Sequence, residues 1–191
     1  VSKETPGVRY AEIERESETA RVRVVLDLDG GRKATVDTGI GYFDQLLGML
    51  AGAGRIDLGV SAEGDLAVDD RHTVEEVGYC FGRAVRHALG DGLGISGRSS
   101  HVSTQEDALV LIALDLSTRP YLSYDLGLTY ERVGGLTAEC IETFMRSMTL
   151  QAGMSLHVKR LDGHNNHNLC EAAFKGLGRA LYIAANKLEP S

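Results

Sequence analysis

Two stretches lying 96 residues apart constrain this chain more than any other feature. "EVGYCFGRAV" follows Glu75 and "AAFKGLGRAL" follows Glu171, so each glutamate is followed seven residues later by Gly-Arg-Ala. In the first copy Val74, Val77, Phe81, Ala84, Val85 and Ala88 recur at helical spacing. In the second, Ala173, Leu177, Ala180, Leu181 and Ala184 do the same. Each copy therefore reads as a long amphipathic helix with a glutamate near its start.

The agreement extends upstream. "IGYFDQLLGMLAGAG" and "CIETFMRSMTLQAG" read as helices ending at glycine, followed by the strand candidates "RIDLGVSA" and "MSLHVKRL". Ahead of them, "VRYAEIERE" and "ARVRVVLDLDG" alternate like half-buried strands, and "ALVLIALDLSTRPYLSYDL" supplies the strands of the second copy. The expected fold is α+β: two duplicated halves, residues 1–92 and 93–191, each a small sheet backed by two helices, forming one compact unit. "GDGLGISGRSSHVSTQ", residues 90–105, reads as the linker.

A formal charge of -7 over 191 residues argues against a nucleic-acid or anionic-membrane binder, although a local basic pocket remains compatible with a phosphate ligand. Without an apolar run of membrane-spanning length, the expected location is the cytoplasm. Three cysteines, Cys80, Cys140 and Cys170, lack paired zinc spacing and read as reduced, buried small hydrophobes. His87, His101, His157 and His164 read as structural or surface residues.

His72 and Glu75, at i and i+3, place two metal-ligand types on one helix face, yet Arg71 stands beside them and a permanent cation repels a metal. An isolated pair of this kind is ordinarily a solvated helix face. Superposing the copies aligns Arg71, His72 and Glu75 with His167, Asn168 and Glu171, and places Gln45 opposite Thr143.

With "TGIGYFD", "GDLAVDDRHTVEE", "DLSTRPYL" and "GHNNHNLCEAAFKGLGRAL", the chain resembles the imidazoleglycerol-phosphate dehydratase family along nearly all of its length. The resemblance implies duplicated halves like domain 2 of ribosomal protein S5, a 24-subunit homo-oligomer, and a di-manganese site at subunit contacts. It implies a small phosphorylated substrate and histidine-biosynthesis lyase chemistry. The family pattern has a histidine pair and a glutamate in each half, plus one histidine on each preceding helix. Here Gln45, Thr143, Arg71 and Asn168 replace four of those six histidines. By the same resemblance Glu18 is the acid/base glutamate, while Arg119 and Lys175 lie near the substrate phosphate. A further family arginine falls on Gly97, one place from Arg98, and Glu106-Asp107 stands where the family has aspartate then glutamate.

If each ion takes its helix residue, second pair member and glutamate from one half, symmetry draws the fourth ligand from the other. One expected set is then Gln45, His72, Glu75 and His167, able to hold one divalent ion, manganese by resemblance. The other is Thr143, Asn168, Glu171 and Arg71, in which the guanidinium replaces the ion opposite Glu171 and Asn168 and Gln45 face the substrate. The expected cofactor is one divalent ion or none. Three functions stay open: a divergent dehydratase, a non-catalytic paralogue that binds a phosphate ligand or an intact homologue, and a related enzyme with a changed substrate and metal-independent chemistry.

Overall fold

The computed structural model describes residues 9–17, 20–64, 69–116 and 119–188. The first half contains β1 (Tyr10–Glu16), β2 (Ala20–Asp27), β3 (Ala34–Asp37), α1 (Gly41–Gly54), β4 (Asp57–Gly64) and α2 (Asp70–Leu89). The second contains β5 (Arg98–Gln105), β6 (Ala108–Asp115), β7 (Tyr121–Asp125), a short β8–β9 hairpin (Arg132–Val133, Leu136–Thr137), α3 (Glu139–Ala152), β10 (Ser155–Asp162) and α4 (Asn166–Ala184). The two main sheets have the same topology, β1-β2-β4-β3 and β5-β6-β10-β7. In each, a hairpin and the last strand pair antiparallel, and the third strand lies parallel to the last.

Strand alternation sets which faces are inside. Val22, Val24 and Leu26 of β2 and Val110, Ile112 and Leu114 of β6 point to the helices and are buried. The helices then pair across the halves, α1 on α4 and α2 on α3. All four phenylalanines of the chain, one per helix, are fully buried where the pairs meet. The Phe144 centroid lies 5.4 Å from those of Phe43 and Phe174 and 6.0 Å from that of Phe81.

The Gly-Arg-Ala shared by the copies marks these crossings. A Cβ on Gly178 would stand 2.1 Å from the Leu50 carbonyl oxygen of α1, and one on Gly82 would stand 2.3 Å from the Met148 carbonyl oxygen of α3. Gly78, one turn before Gly82, approaches the Phe144 carbonyl oxygen in the same way. Glycine lets the helix backbones come closer than any side chain allows.

The linker reading of residues 90–105 needs correction. Its first part is loop, with positive φ at Gly90, Gly92, Gly94 and Gly97, but Arg98–Gln105 is strand β5, pairing with β6 from Arg98↔Asp115 to Gln105↔Ala108. The segment is nearly all polar because it is mostly exposed, and only Ser103 is buried. β3, on the sheet margin with no fully buried residue, escapes hydrophobic patterning for the same reason. No helix among the described residues is long and apolar enough to cross a membrane. The three cysteines are free and buried, and burial pushes the Cys80 thiol up to about 11 and those of Cys140 and Cys170 up to about 12.

Candidate functional site

The first turns of α2 and α4 carry the residues singled out in the sequence, and capping fixes both. Asp69 accepts the Arg71 N–H at 2.8 Å, and Asn165 accepts those of His167 (2.9 Å) and Asn168 (3.3 Å). The next residue of each helix is a buried anchor. The Asp70 carboxylate accepts from the Thr137 backbone N–H at 2.9 Å and its hydroxyl at 3.0 Å. Asn166 turns its amide oxygen to the N–H groups of Thr129 and Tyr130. The pairs Arg71-His72 and His167-Asn168 are thereby held at the helix ends.

Within one chain the candidate ligands assort by helix pairing. Because α1 lies on α4, the Gln45 amide Nε2 donates to Glu171 Oε1 at 3.0 Å, and His167 Nε2 lies 3.5 Å from the same oxygen. Within the chain Gln45 lies beside His167 and Glu171, while His72 and Glu75 stand on the exposed start of α2, the helix that packs on α3. Within the chain Glu171 meets Gln45, and Arg71 stands on α2, in the other helix pair. Glu171 is only 7% exposed, so its charge requires such partners.

Tyr42 is a site neighbour that sequence reasoning missed. Its ring lies 4.3 Å from that of His167 and its hydroxyl donates to the His167 carbonyl oxygen at 3.2 Å. The available signal was its position three residues before Gln45, on the same helix face. Burial first, then the nearby Cys170 and Glu171, raises the Tyr42 pKa and keeps the phenol neutral.

The other substituted positions are also engaged. The Asn168 amide donates to Asp107 Oδ1 at 2.8 Å and to Glu106 Oε2 at 3.2 Å. Glu106 has a left-handed φ of 49°, a conformation disfavoured for a residue with a Cβ, and it turns the β5–β6 corner toward α4. Asp107 Oδ2 accepts the backbone N–H groups of His164 (2.8 Å) and Asn165 (3.1 Å). The Thr143 hydroxyl bonds back to the Glu139 carbonyl oxygen of its own helix at 3.1 Å.

The Asn168 hydrogen bond, followed by those from the His164 and Asn165 backbones, holds the Asp107 carboxyl down at about 2. Since its folded value is depressed, the stabilisation of this corner is complete above the unfolded value of about 3.9 and is lost as pH falls toward 2. Asn168→Leu is expected to move the Asp107 midpoint up toward 3.9, read by carboxyl 13C NMR titration. An unmoved midpoint would show that the backbone donors alone set it.

Of the basic candidates, Lys175 donates to Gln105 Oε1 at 2.6 Å and so lies along β5. Arg119 is exposed just before β7, its carbonyl oxygen accepting the Ser155 hydroxyl at 3.1 Å. Arg98 pairs with Asp115 across the β5–β6 ladder at 2.6 Å. Glu18 falls outside the described residues.

A two-ion centre makes demands that these donors do not meet. Among the described residues of a single chain no three His, Cys, Asp or Glu side chains converge on a metal position. Gln45 turns its N–H toward Glu171, as an acceptor-only carboxylate requires, so its amide oxygen faces away from that carboxylate. The Thr143 hydroxyl donates within α3 and is a neutral oxygen where the family has an imidazole, and Arg71 is a permanent cation. Two imidazoles and two carboxylates remain from the family's eight ligand positions, too few for two ions.

Comparison with known proteins agrees with this architecture. The family model for imidazoleglycerol-phosphate dehydratase matches residues 38–181. The chain is 49% identical over 177 residues to the imidazoleglycerol-phosphate dehydratase of Desulfitobacterium hafniense, covering 93% of this chain and 90% of that protein. It is 49% identical over 182 residues to that of Moorella thermoacetica, covering 95% and 92%. The crystal structure of imidazoleglycerol-phosphate dehydratase from Staphylococcus aureus superposes with a TM-score of 0.84 at 26% identity, covering 93% of this chain and 99% of that one. A structure of the Pyrococcus furiosus protein in complex with (S)-C348 gives 0.79 at 29% identity, covering 93% and 95%. Matched by the family model over residues 38–181 and 49% identical to such a protein across 93% of its length, the chain belongs to the imidazoleglycerol-phosphate dehydratase family.

Proposed function

We propose that this chain is a carbon–oxygen lyase of histidine biosynthesis, removing water from imidazoleglycerol phosphate or a closely related phosphorylated imidazole. The observation that carries this reading is the α1–α4 cluster: His167, Glu171 and Gln45 side by side, next to Tyr42, within a chain of this family. The Gln45 amide and the His167 imidazole are hydrogen-bonding groups suited to an imidazole ring. Glu171 supplies negative charge beside any ring N–H. Lys175 and Arg119 provide the cations for the phosphate, and Arg98 joins them only by leaving Asp115. Elimination takes a proton and a hydroxyl from neighbouring carbons and yields an enol, hence a ketone. Glu18 is the proposed proton carrier. His72 and Glu75 on α2 are a second proposed donor pair, with Arg71 a fixed positive charge beside them.

The working form is proposed to be a homo-oligomer, 24 subunits by resemblance, located in the cytoplasm. The direct test is 1H NMR of purified protein with imidazoleglycerol phosphate, following loss of the carbinol proton signals. Turnover that disappears in Glu171→Gln supports the reading. Binding of the substrate without turnover would instead establish the non-catalytic paralogue.

Arg119→Ala is expected to weaken binding of the phosphorylated ligand by about 1.5–3 kcal/mol, the scale of hydrogen bonds to a charged group. Isothermal calorimetry with substrate measures it. Unchanged affinity would make Arg119 a structural residue of the β7 approach.

A further inference from the structure

We infer that the α1–α4 cluster of this chain is a metal-free, hydrogen-bonded replacement for a metal site, in which the Gln45 amide holds the Glu171 carboxylate where an ion would otherwise hold it. The inference rests on the family reading above and goes beyond it in assigning Gln45 and Asn168 a shared role.

Three observations carry it. First, Glu171 is 7% exposed, and a carboxylate so buried must be paired or protonated. It has an amide N–H at 3.0 Å and an imidazole nitrogen at 3.5 Å on one oxygen, so it is paired within its own chain. Second, the orientation of the Gln45 amide is fixed by its partner, because a carboxylate only accepts. Turning the amide oxygen inward to ligate an ion would break that bond. Third, the Asn168 amide is committed in the same way to a different pair of carboxylates, bridging Asp107 and Glu106 at 2.8 and 3.2 Å. The left-handed Glu106 backbone contributes to that approach. Both amides stand where a histidine stands in the family pattern, and both donate to acidic side chains. A histidine would offer a lone pair to a metal; these residues offer N–H groups to carboxylates.

The consequence is a site whose acidic side chains keep their places without an ion. Its His167 imidazole stands beside Glu171 with one ring nitrogen toward that carboxylate, backed by Tyr42.

The test uses the full-length protein, stripped with EDTA, with manganese chloride as the probe. Metal content after dialysis, manganese titration calorimetry and thermal unfolding are measured on wild type, Gln45→Ala, Gln45→His and His167→Ala. The wild type should unfold at the same temperature with EDTA or manganese. Gln45→Ala should lower Tm by about 2–6 °C by leaving Glu171 short of a donor, and manganese should not restore it. Gln45→His should gain manganese affinity of at least about tenfold, since it returns a lone-pair donor beside His167 and Glu171. An ion bound by the wild type and lost in His167→Ala would overturn the inference. An ion that survives His167→Ala lies elsewhere and leaves it standing. The dehydratase assay on the same stripped sample separates the two readings. A metal-free cluster without turnover sinks the enzymatic reading alone, whereas manganese uptake at His167 with turnover sinks this inference alone.

Discussion

Gly178→Ala is expected to destabilise the protein by about 3 kcal/mol, the upper end for adding a methyl group to a packed crossing, and so to lower Tm by about 6–12 °C in a chain of this size. The added Cβ would lie 2.1 Å from the Leu50 carbonyl oxygen and 3.0 Å from the Gly54 backbone nitrogen. Both obstacles are main chain, so no side chain can swing away. Relief requires α1 and α4 to separate, which would also stretch the Gln45–Glu171 hydrogen bond carried by the same pair of helices. Gly52→Ala is the matched control, because a Cβ there meets nothing within 4 Å. Within a helix that change should stabilise by roughly 0.5–1 kcal/mol. Opposite signs for two glycine-to-alanine changes at one helix pair, measured by thermal unfolding, are the expected outcome. A Gly178→Ala protein as stable as wild type would refute the close crossing of α1 and α4.

The Gly-Arg-Ala repeat was visible in the sequence, but which helices those glycines bring together was not. A repeat read along the chain pairs each helix residue with the glutamate of its own half, and on that logic Gln45 belongs with Glu75. Within the chain α1 pairs with α4, and Gln45 meets Glu171. Periodicity shows which face of a helix is apolar and carries no information about which partner covers it. The glycines were the available clue, since Gly78 and Gly82 one turn apart mark a backbone-close face on α2 and Gly178 marks its counterpart on α4. Strands with a buried face, such as β2 and β6, were legible from alternation. β5 was not, because a polar strand at a sheet margin has the composition of a loop. The catalytic candidates were found by residue type at the helix starts, while Tyr42 was passed over because a tyrosine beside a phenylalanine reads as core.

Phe144→Ala should be more damaging still, with an expected loss of about 3–5 kcal/mol for a fully buried ring. Phe144 belongs to α3, yet its ring stacks on Phe174 of α4 at an interplanar angle of 20° and meets the edge of Phe43 of α1 at 75°. It also contacts Phe81 of α2, its partner helix, at 6.0 Å. Among these four rings it is the one placed within 6.0 Å of all the others, since Phe43 and Phe174 stand 6.5 Å apart. Removing it opens a cavity bounded by all four helices, so neither sheet can collapse onto it without losing its own helix contacts. The duplicated halves are joined through helix pairs rather than a continuous sheet, and the effect should therefore reach cooperativity as well as stability. Denaturant unfolding of Phe144→Ala should show a lower midpoint together with a lower apparent m-value, as the halves begin to unfold separately. Phe144→Leu, which refills most of the volume, should recover the single transition. A Phe144→Ala protein that loses less than about 1 kcal/mol and keeps its m-value would show that the halves are held together elsewhere than at the four rings.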